Sequence, residues 1–283
     1  MVVTQPDRPQ GRGKKILKSE VKKVAEELGL PLFQPERIKN PENVARIVAE
    51  KADVIVVAAY GQILSREILQ ASRLGCFNVH ASLLPKYRGA APIHRAILNG
   101  ETQSGITIMA MDEGLDTGAM VKQSAHAIPL EMTTGELHDS LARLGAELLL
   151  ESLTEIEEGT AKLVPQDDKE ATYASMLHKE EERLDWSQSA KSLHNQVRGL
   201  FPWPGAYAFF RGKRIKIGKS SFIEGASQGL QPGTIAKIFP ERIEVATGCG
   251  YLNLLEVQPE GKKMIEIRDF VNGYDVKTGE IFN

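Results

Sequence analysis

The chain has 283 residues, 42% of them hydrophobic and 25% charged, and a formal net charge of -2. That composition excludes a disordered chain and leaves room for two domains, each with its own core. No run of about 18 apolar residues is present, and the two cysteines, Cys76 and Cys249, form no CxxC pair. A membrane span, a disulfide framework and a thiolate zinc site are therefore not expected, and the compartment reads as reducing and cytoplasmic. The start, Met1 to Pro9, lacks the basic stretch and apolar core of a signal peptide.

In chain order, Val2-Val3 reads as the stub of a strand, followed by a loop from Gln5 to Lys15 rich in Pro, Gly and basic residues. Ser19 can cap a helix through Glu27, with Val21, Val24, Ala25 and Leu28 on one face and Gly29 to stop it. Leu32 to Gln34 is a short strand, and Pro41-Glu42 opens a helix to about Glu50. The continuous apolar run from Val54 to Ala59 predicts a parallel strand covered on both faces. Another strand carries Asn78 and His80. Pro92 starts a helix that Asn99-Gly100 stops, Ile106 to Met109 is a strand, and Thr133-Thr134 with Glu136 precedes a long helix reaching about Glu158. Alternating strands and helices indicate an α/β layer fold, Rossmann-like, with a mostly parallel sheet.

The character changes after that helix. A polar stretch ending near Asp168 reads as a linker, and Ser187 or Ser189 caps a further helix. Beyond Phe201-Pro202-Trp203-Pro204 come short β runs: Ala206 to Phe210, Arg214 to Ile217, Gly233 to Ile238, Ile243 to Ala246 and Leu252 to Val257. They predict a small C-terminal β-barrel of OB-like type. The expected division is residues 1–154, a linker at 155–176, and 177–283.

Asn78 and His80 are two apart, so a strand projects both from one face. A carboxamide can hold a carbonyl oxygen as it gains charge, and an imidazole can move a proton beside it. Acyl transfer or addition at a carbonyl suits that pair; a buried polar pair satisfied by backbone is the other reading. Asp116 lies in Gly114-Leu115-Asp116-Thr117-Gly118, where glycines let the backbone turn sharply, and a carboxylate near His80 would orient the ring. An Asx-turn is the plainer alternative. Two basic stretches, Arg8 to Lys23 and Arg198 to Lys219, fit a polyanionic partner, the second interleaved with Trp203, Tyr207, Phe209 and Phe210. Solvated charge and barrel core are the alternatives. No HExxH spacing or complete GxGxxG occurs, so neither a catalytic metal nor a dinucleotide cofactor is expected.

Three motifs together, Asn78-Val79-His80-Ala81-Ser82-Leu83-Leu84-Pro85, Tyr87-Arg88-Gly89-Ala90-Ala91-Pro92 and Gly114-Leu115-Asp116-Thr117-Gly118, resemble the formyltransferases that use 10-formyltetrahydrofolate. The basic loop Gln5 to Lys15 and the turn at Phe201-Pro202-Trp203-Pro204 narrow the resemblance to members that formylate methionyl-tRNA. It implies a catalytic trio of Asn78, His80 and Asp116, and a folate-binding loop of Ser82, Leu83, Leu84 and Pro85. It also implies a pterin pocket lined from Val57 to Leu64, including Tyr60, Ile63 and Leu64. Arg12, with Arg8, Lys14 and Lys15, would reach the tRNA. Arg211, Lys213 and Arg214 would serve a C-terminal domain that grips it. The implied donor is 10-formyltetrahydrofolate, without a metal. The implied partners are initiator methionyl-tRNA and folate, with no membrane, and the implied state is a monomer. The family begins with a strand, a Gly-Thr-Pro loop and a helix ahead of the segment matching Val2-Val3-Thr4. Those roughly thirty residues have no counterpart here, and their absence is expected to leave neighbouring strands unpaired. Formylation of a small amine, an inactive tRNA-binding fragment and hydrolysis of formyl-folate remain the alternative functions.

Overall fold

The computed structural model describes residues 1–10, 15–227 and 229–283. The chain forms two compact units that interleave along the sequence. Unit one comprises Met1–His80, Thr107–Gln123 and Glu147–Gln166; unit two comprises Ala81–Ile106, Ser124–Ala146 and Asp167–Asn283.

Unit one begins with β1 (Val2–Val3), the hairpin β2 (Arg8–Gln10) and β3 (Lys15–Leu17), and α1 (Glu20–Glu27). The Ser19 side chain accepts from the Lys22 amide at 3.1 Å, the cap expected from the sequence. β4 (Leu32–Phe33) pairs in parallel with β1. Then come α2 (Pro41–Ala49), opened by its proline, β5 (Ile55–Val57), α3 (Arg66–Leu69) and β6 (Cys76–His80). β7 (Arg88–Gly89) and α4 (Pro92–Leu98) belong to unit two. β8 (Gln103–Ala110), β9 (Met120–Ala127) and α5 (Thr134–Glu158) run through both units.

Two expectations for unit one need correction. The sheet is mixed: its strand order is β5-β6-β8-β9, with β5 parallel to β6 and β6 antiparallel to β8. The strand at Val54 to Ala59 is parallel to its neighbour as expected; it is the antiparallel step from β6 to β8 that makes the sheet mixed, and an apolar run does not reveal the direction of its ladder. β5 is not covered on both faces. It is three residues long, ends its sheet, and leaves Val56 39% exposed. α1 has the helical spacing read from the sequence, but among its apolar residues only Ala25 is buried, while Val21, Val24 and Leu28 are exposed. β1 and β4 form a sheet of their own. The buried apolar cluster of this unit is Ile38, Ile47, Leu64, Ile68 and Cys76, with Val3, Phe33, Ile55 and Val57 packed against it.

In unit two, β10 (Tyr173–Ala174) pairs with β7, and Ser189 caps α6 (Ala190–Gly199) by accepting from the Ser192 amide at 3.1 Å. A curled antiparallel sheet follows, built from β11 (Tyr207–Phe210), β12 (Lys213–Ile223), β13 (Ile235–Ile238), β14 (Ile243–Ala246) and β15 (Tyr251–Pro259) in the order β11-β12-β15-β14-β13. β16 (Ile265–Glu266) pairs with β15 and leads into α7 (Ile267–Tyr274). The last residues bond both edges of the sheet. Phe209 and Asn283 exchange backbone bonds at 2.7 and 2.8 Å, Phe282 N–H donates to the Gly233 carbonyl at 2.9 Å, and Ile235 N–H donates to the Glu280 carbonyl at 2.8 Å. Phe282, Phe210 and Phe270 fill the core beneath with Ile215, Val245, Leu254 and Trp186.

Candidate active site

β6 has neighbours on both sides, β5 and β8. Asn78 lies opposite Val57 on β5 and Met109 on β8, and His80 lies opposite Thr107 on β8. Pairing on both edges fixes the twist and direction of the strand, so Asn78 and His80 are held on one face as their spacing predicted. His80 is buried and Asn78 half-buried.

Asp116 comes to His80 from the turn after β8. Its Oδ2 lies 3.7 Å from His80 Nδ1, an ion-pair distance when the ring is protonated, and its side chain is 15% exposed. Asp116 has a φ of +54°, a left-handed conformation that costs a non-glycine residue about 1 kcal/mol or more and persists only where its surroundings enforce it. Those surroundings are visible. Asp112 Oδ1 accepts from the Gly114 amide at 2.9 Å and from the Thr117 hydroxyl at 2.7 Å. Gln166 Nε2 donates to the carbonyls of Asp116 and Gly118, both at 2.8 Å. A Cβ on Gly118 would lie 1.8 Å from the Ala110 carbonyl oxygen, so only glycine lets the turn close onto β8. Asp112 and Gln166 escaped the sequence reading. Asp112 had a signal, an Asp two residues before Gly, as in an Asx-turn. Gln166 lies fifty residues from Asp116, whose backbone carbonyl it braces, and had none.

The other expected residues fall in distinct surroundings. Tyr60 packs on the core of unit one, and its hydroxyl is buried without a partner among the described residues; burial pushes its pKa up. Leu64 is buried in the same core, while Ile63 is exposed. In unit two, Ser82 is buried and donates from its hydroxyl to the Lys86 carbonyl at 2.6 Å, which closes the Leu83-Leu84-Pro85 turn on itself. Leu84 is buried, whereas Leu83 and Pro85 are half-buried. The neighbouring Arg88 is 1% exposed, and its guanidinium donates to Asp168 at 2.8 Å. Tyr87 donates to Glu101 at 2.7 Å, and burial, together with that carboxylate, pushes its pKa up to about 12.

Among the basic residues, Arg12 and Lys14 lie outside the described residues, and only the backbone of Lys15, in β3, is described. Arg8 is exposed. Arg211 is engaged: it makes a bidentate pair with Glu280 at 2.7 Å and donates to the Tyr274 and Asp275 carbonyls. Arg214 donates to Glu182 at 3.0 Å and stacks 3.8 Å over the Tyr207 ring. Lys213 and Lys219 are exposed, and so is Trp203. Phe210 is core, as one of the two readings held. Among the described residues no cluster of three or more His, Cys, Asp or Glu could hold a metal ion, and no helix is long and apolar enough to cross a membrane.

Comparison with known proteins gives this geometry a family. Residues 1–153 match the formyl transferase family model, and residues 176–275 match the model for the formyl transferase C-terminal domain. A methionyl-tRNA formyltransferase from Symbiobacterium thermophilum is 49% identical over 283 residues, which is 100% of this chain and 87% of that protein. Among solved structures, an N-formyltransferase from Helicobacter canadensis in complex with folinic acid and dTDP-3-aminofucose is 20% identical with a TM-score of 0.62, over 90% of this chain and 87% of that one. HypX from Aquifex aeolicus, solved with tetrahydrofolic acid, is 19% identical with a TM-score of 0.61. There the match covers 91% of this chain but only 45% of HypX. At these identities the structural neighbours establish a shared fold.

Proposed function

We infer, because this chain belongs to the formyl transferase family, that it moves a formyl group from 10-formyltetrahydrofolate to the α-amine of methionine carried on initiator tRNA. The observation that carries this reading is the 49% identity, extending over the whole chain, with a methionyl-tRNA formyltransferase. The pairing of His80 with Asp116 beside Asn78 supports it.

Each residue then has a task. The attacking amine forms a bond to the formyl carbon, and the bond from that carbon to N10 of the folate breaks. Asn78 donates to the oxygen as it gains charge. His80, oriented by Asp116, stabilises the same oxygen and passes a proton to the leaving N10, while Asp116 takes the amine's proton through a water. Transfer is direct, so no acyl-enzyme forms, and rate comes from holding both substrates in one geometry. The buried, unpartnered Tyr60 hydroxyl is a donor available to a polar ring edge, which suits the segment from Val57 to Leu64 to the pterin. The Ser82 to Pro85 turn serves the folate as well. Residues 177–283 grip the tRNA as a barrel of OB-like type, where exposed Lys213 and Lys219 offer phosphate contacts and exposed Trp203 a stacking face. Arg211 and Arg214 contribute by shaping that surface, since acidic partners engage both guanidinium groups.

The test is transfer of labelled formyl from 10-formyltetrahydrofolate. Product on charged initiator tRNA is expected. Product only on an amino sugar, or formate released without an acceptor, would replace this reading with a small-amine transferase or a hydrolase.

A further inference from the structure

Unit two holds a cavity of about 300 Å³ between α6, β12, β15 and the turn that opens α5. Its wall contains a buried guanidinium. Arg198 is 4% exposed, and its hydrogen bonds go to neutral groups. Nε and Nη2 donate to Asn195 Oδ1 at 2.9 and 2.8 Å, and Nη1 donates to the Met132 carbonyl at 3.0 Å. Among the described residues no carboxylate pairs with it, and one N–H on each Nη is left over. A buried cation without a direct counter-charge is costly. Burial pushes its pKa down, and Glu131 pulls it back only from a distance.

A lone buried cation would point to a simple anion, but the rest of the lining argues against one. Glu131 and Glu256 share the cavity. Glu256 is half-buried on β15 and has no side-chain hydrogen bond or ion pair among the described residues. Lys219, opposite it on β12, is exposed and equally unengaged. The other polar groups are already occupied. His194 has Ser220 on Nδ1 and the Leu130 carbonyl on Nε2, and Glu136 Oε2 accepts from the Thr133 amide and hydroxyl. A phosphate or carboxylate set against Arg198 would therefore meet two carboxylates. The lining instead suits a ring with acceptors on one edge and donors on the next.

We propose that this cavity binds a guanine nucleotide, either free or unpaired within an RNA strand. Guanine O6 and N7 accept from the two remaining Arg198 N–H groups, and its N1–H and N2 amine donate to Glu256. Adenine carries an amino donor where guanine has O6, so it sets a donor against the guanidinium. Val197 and Phe201 give the ring apolar lining, and Lys219 serves the nucleotide's phosphate. The proposal goes beyond formyl transfer and is read without turnover, so either reading can fail while the other stands.

The experiment titrates 5′-GMP, 5′-IMP and 5′-AMP into the full chain by calorimetry, beside the RNA strands UUGUU and UUAUU. GMP should bind saturably, one to one. IMP lacks the N2 amine, and AMP lacks O6 as well, so each should bind about tenfold more weakly or worse. Arg198→Met should abolish the preference for GMP over AMP, and Glu256→Ala the preference for GMP over IMP. Should Arg198→Met fail to fold, the nucleotide series on the wild-type chain and Glu256→Ala still decide. UUGUU bound over UUAUU, with GMP silent, assigns the base to an RNA strand; GMP bound with no preference between the strands assigns it to a free nucleotide. Equal binding of all three nucleotides would show contact with phosphate alone and overturn the proposal. So would the absence of any guanine preference in both series, which would leave Glu131 and Glu256 as distant counter-charges for Arg198.

Discussion

The C-terminal sheet of unit two and the sheets of unit one meet the same difficulty, exposed strand edges, and resolve it differently. Unit two spends its last four residues on it: Glu280, Phe282 and Asn283 bond to both edge strands, and three phenylalanines fill the space beneath. Among the described residues, unit one leaves an edge of β1 and of β5 without a ladder partner and keeps its buried cluster small. The chemistry proposed for Asn78 and His80 nonetheless sits in unit one, on β6, which is paired on both sides. The lesson is that precision at the site comes from local bracing of β6 and of the Asp116 turn, whereas unit two draws rigidity from closure. Stability and catalysis should therefore separate under mutation.

The largest effect tests the catalytic half. Asn78→Ala and His80→Gln should each lower turnover roughly 10³-fold, about 4 kcal/mol of transition-state stabilisation, while tRNA affinity and melting temperature stay near wild type. Single-turnover rates beside a binding isotherm check this. Retained turnover would remove both residues from the mechanism. Next, Phe282→Ala should cost about 3 to 4 kcal/mol of stability, because the ring is 1% exposed and packs 4.8 Å from Phe210. Denaturant unfolding measures it, and a loss below about 1 kcal/mol would show that the C-terminal residues do not hold the sheet closed.

Gly118→Ala asks whether bracing, rather than bulk packing, positions Asp116. The added Cβ would meet the Ala110 carbonyl oxygen at 1.8 Å, so the turn must move. A displacement near 1 Å at this site should lower kcat about 10²-fold with little change in KM for tRNA. Wild-type kcat would mean the turn adapts and the left-handed φ of Asp116 is incidental.

How much of this was legible follows from range. Local chemistry was: the Ser19 cap, the Thr133–Glu136 box and the shared face of Asn78 and His80 depend on neighbours within a few residues. Their energetics are short-range, so sequence spacing encodes them. Strand polarity was not, because burial period is identical in parallel and antiparallel ladders, and β6 met β8 antiparallel. Coverage was not either. The run from Val54 to Ala59 and the apolar side of α1 have the composition of buried elements, yet composition does not say which partner buries them. Nor was the engagement of Arg211, whose carboxylate partner lies 69 residues away. The exposed basic stretch read from the sequence holds, in part, cations already spent on the protein's own fold.

The smallest effect separates the units by pH. His194 in α6 is 2% exposed, its Nδ1 lies 3.1 Å from the Ser220 hydroxyl, and its Nε2 lies 3.2 Å from the Leu130 carbonyl. Burial holds its pKa below the ordinary 6.5, although the Leu130 carbonyl and Glu131 pull the other way. His94, also in unit two, shifts in the same direction for the same reason. A depressed histidine leaves the unfolded chain binding more protons near and below pH 6.5. Stability is therefore full above that value and falls as pH drops through it, by at most about 1.4 kcal/mol per pH unit for each group. The depressed carboxylates Asp7 and Glu67 in unit one lose their contribution only in a lower window, below about pH 4.5. Both tryptophans, Trp186 and Trp203, lie in unit two, so their fluorescence reports that unit. Urea midpoints read from it should fall between pH 7.5 and 5.5, and His194→Gln should flatten the fall. An equal slope in the variant would mean that His194 takes up its proton as readily in the folded chain as in the unfolded one, and that the acid sensitivity of unit two has another origin.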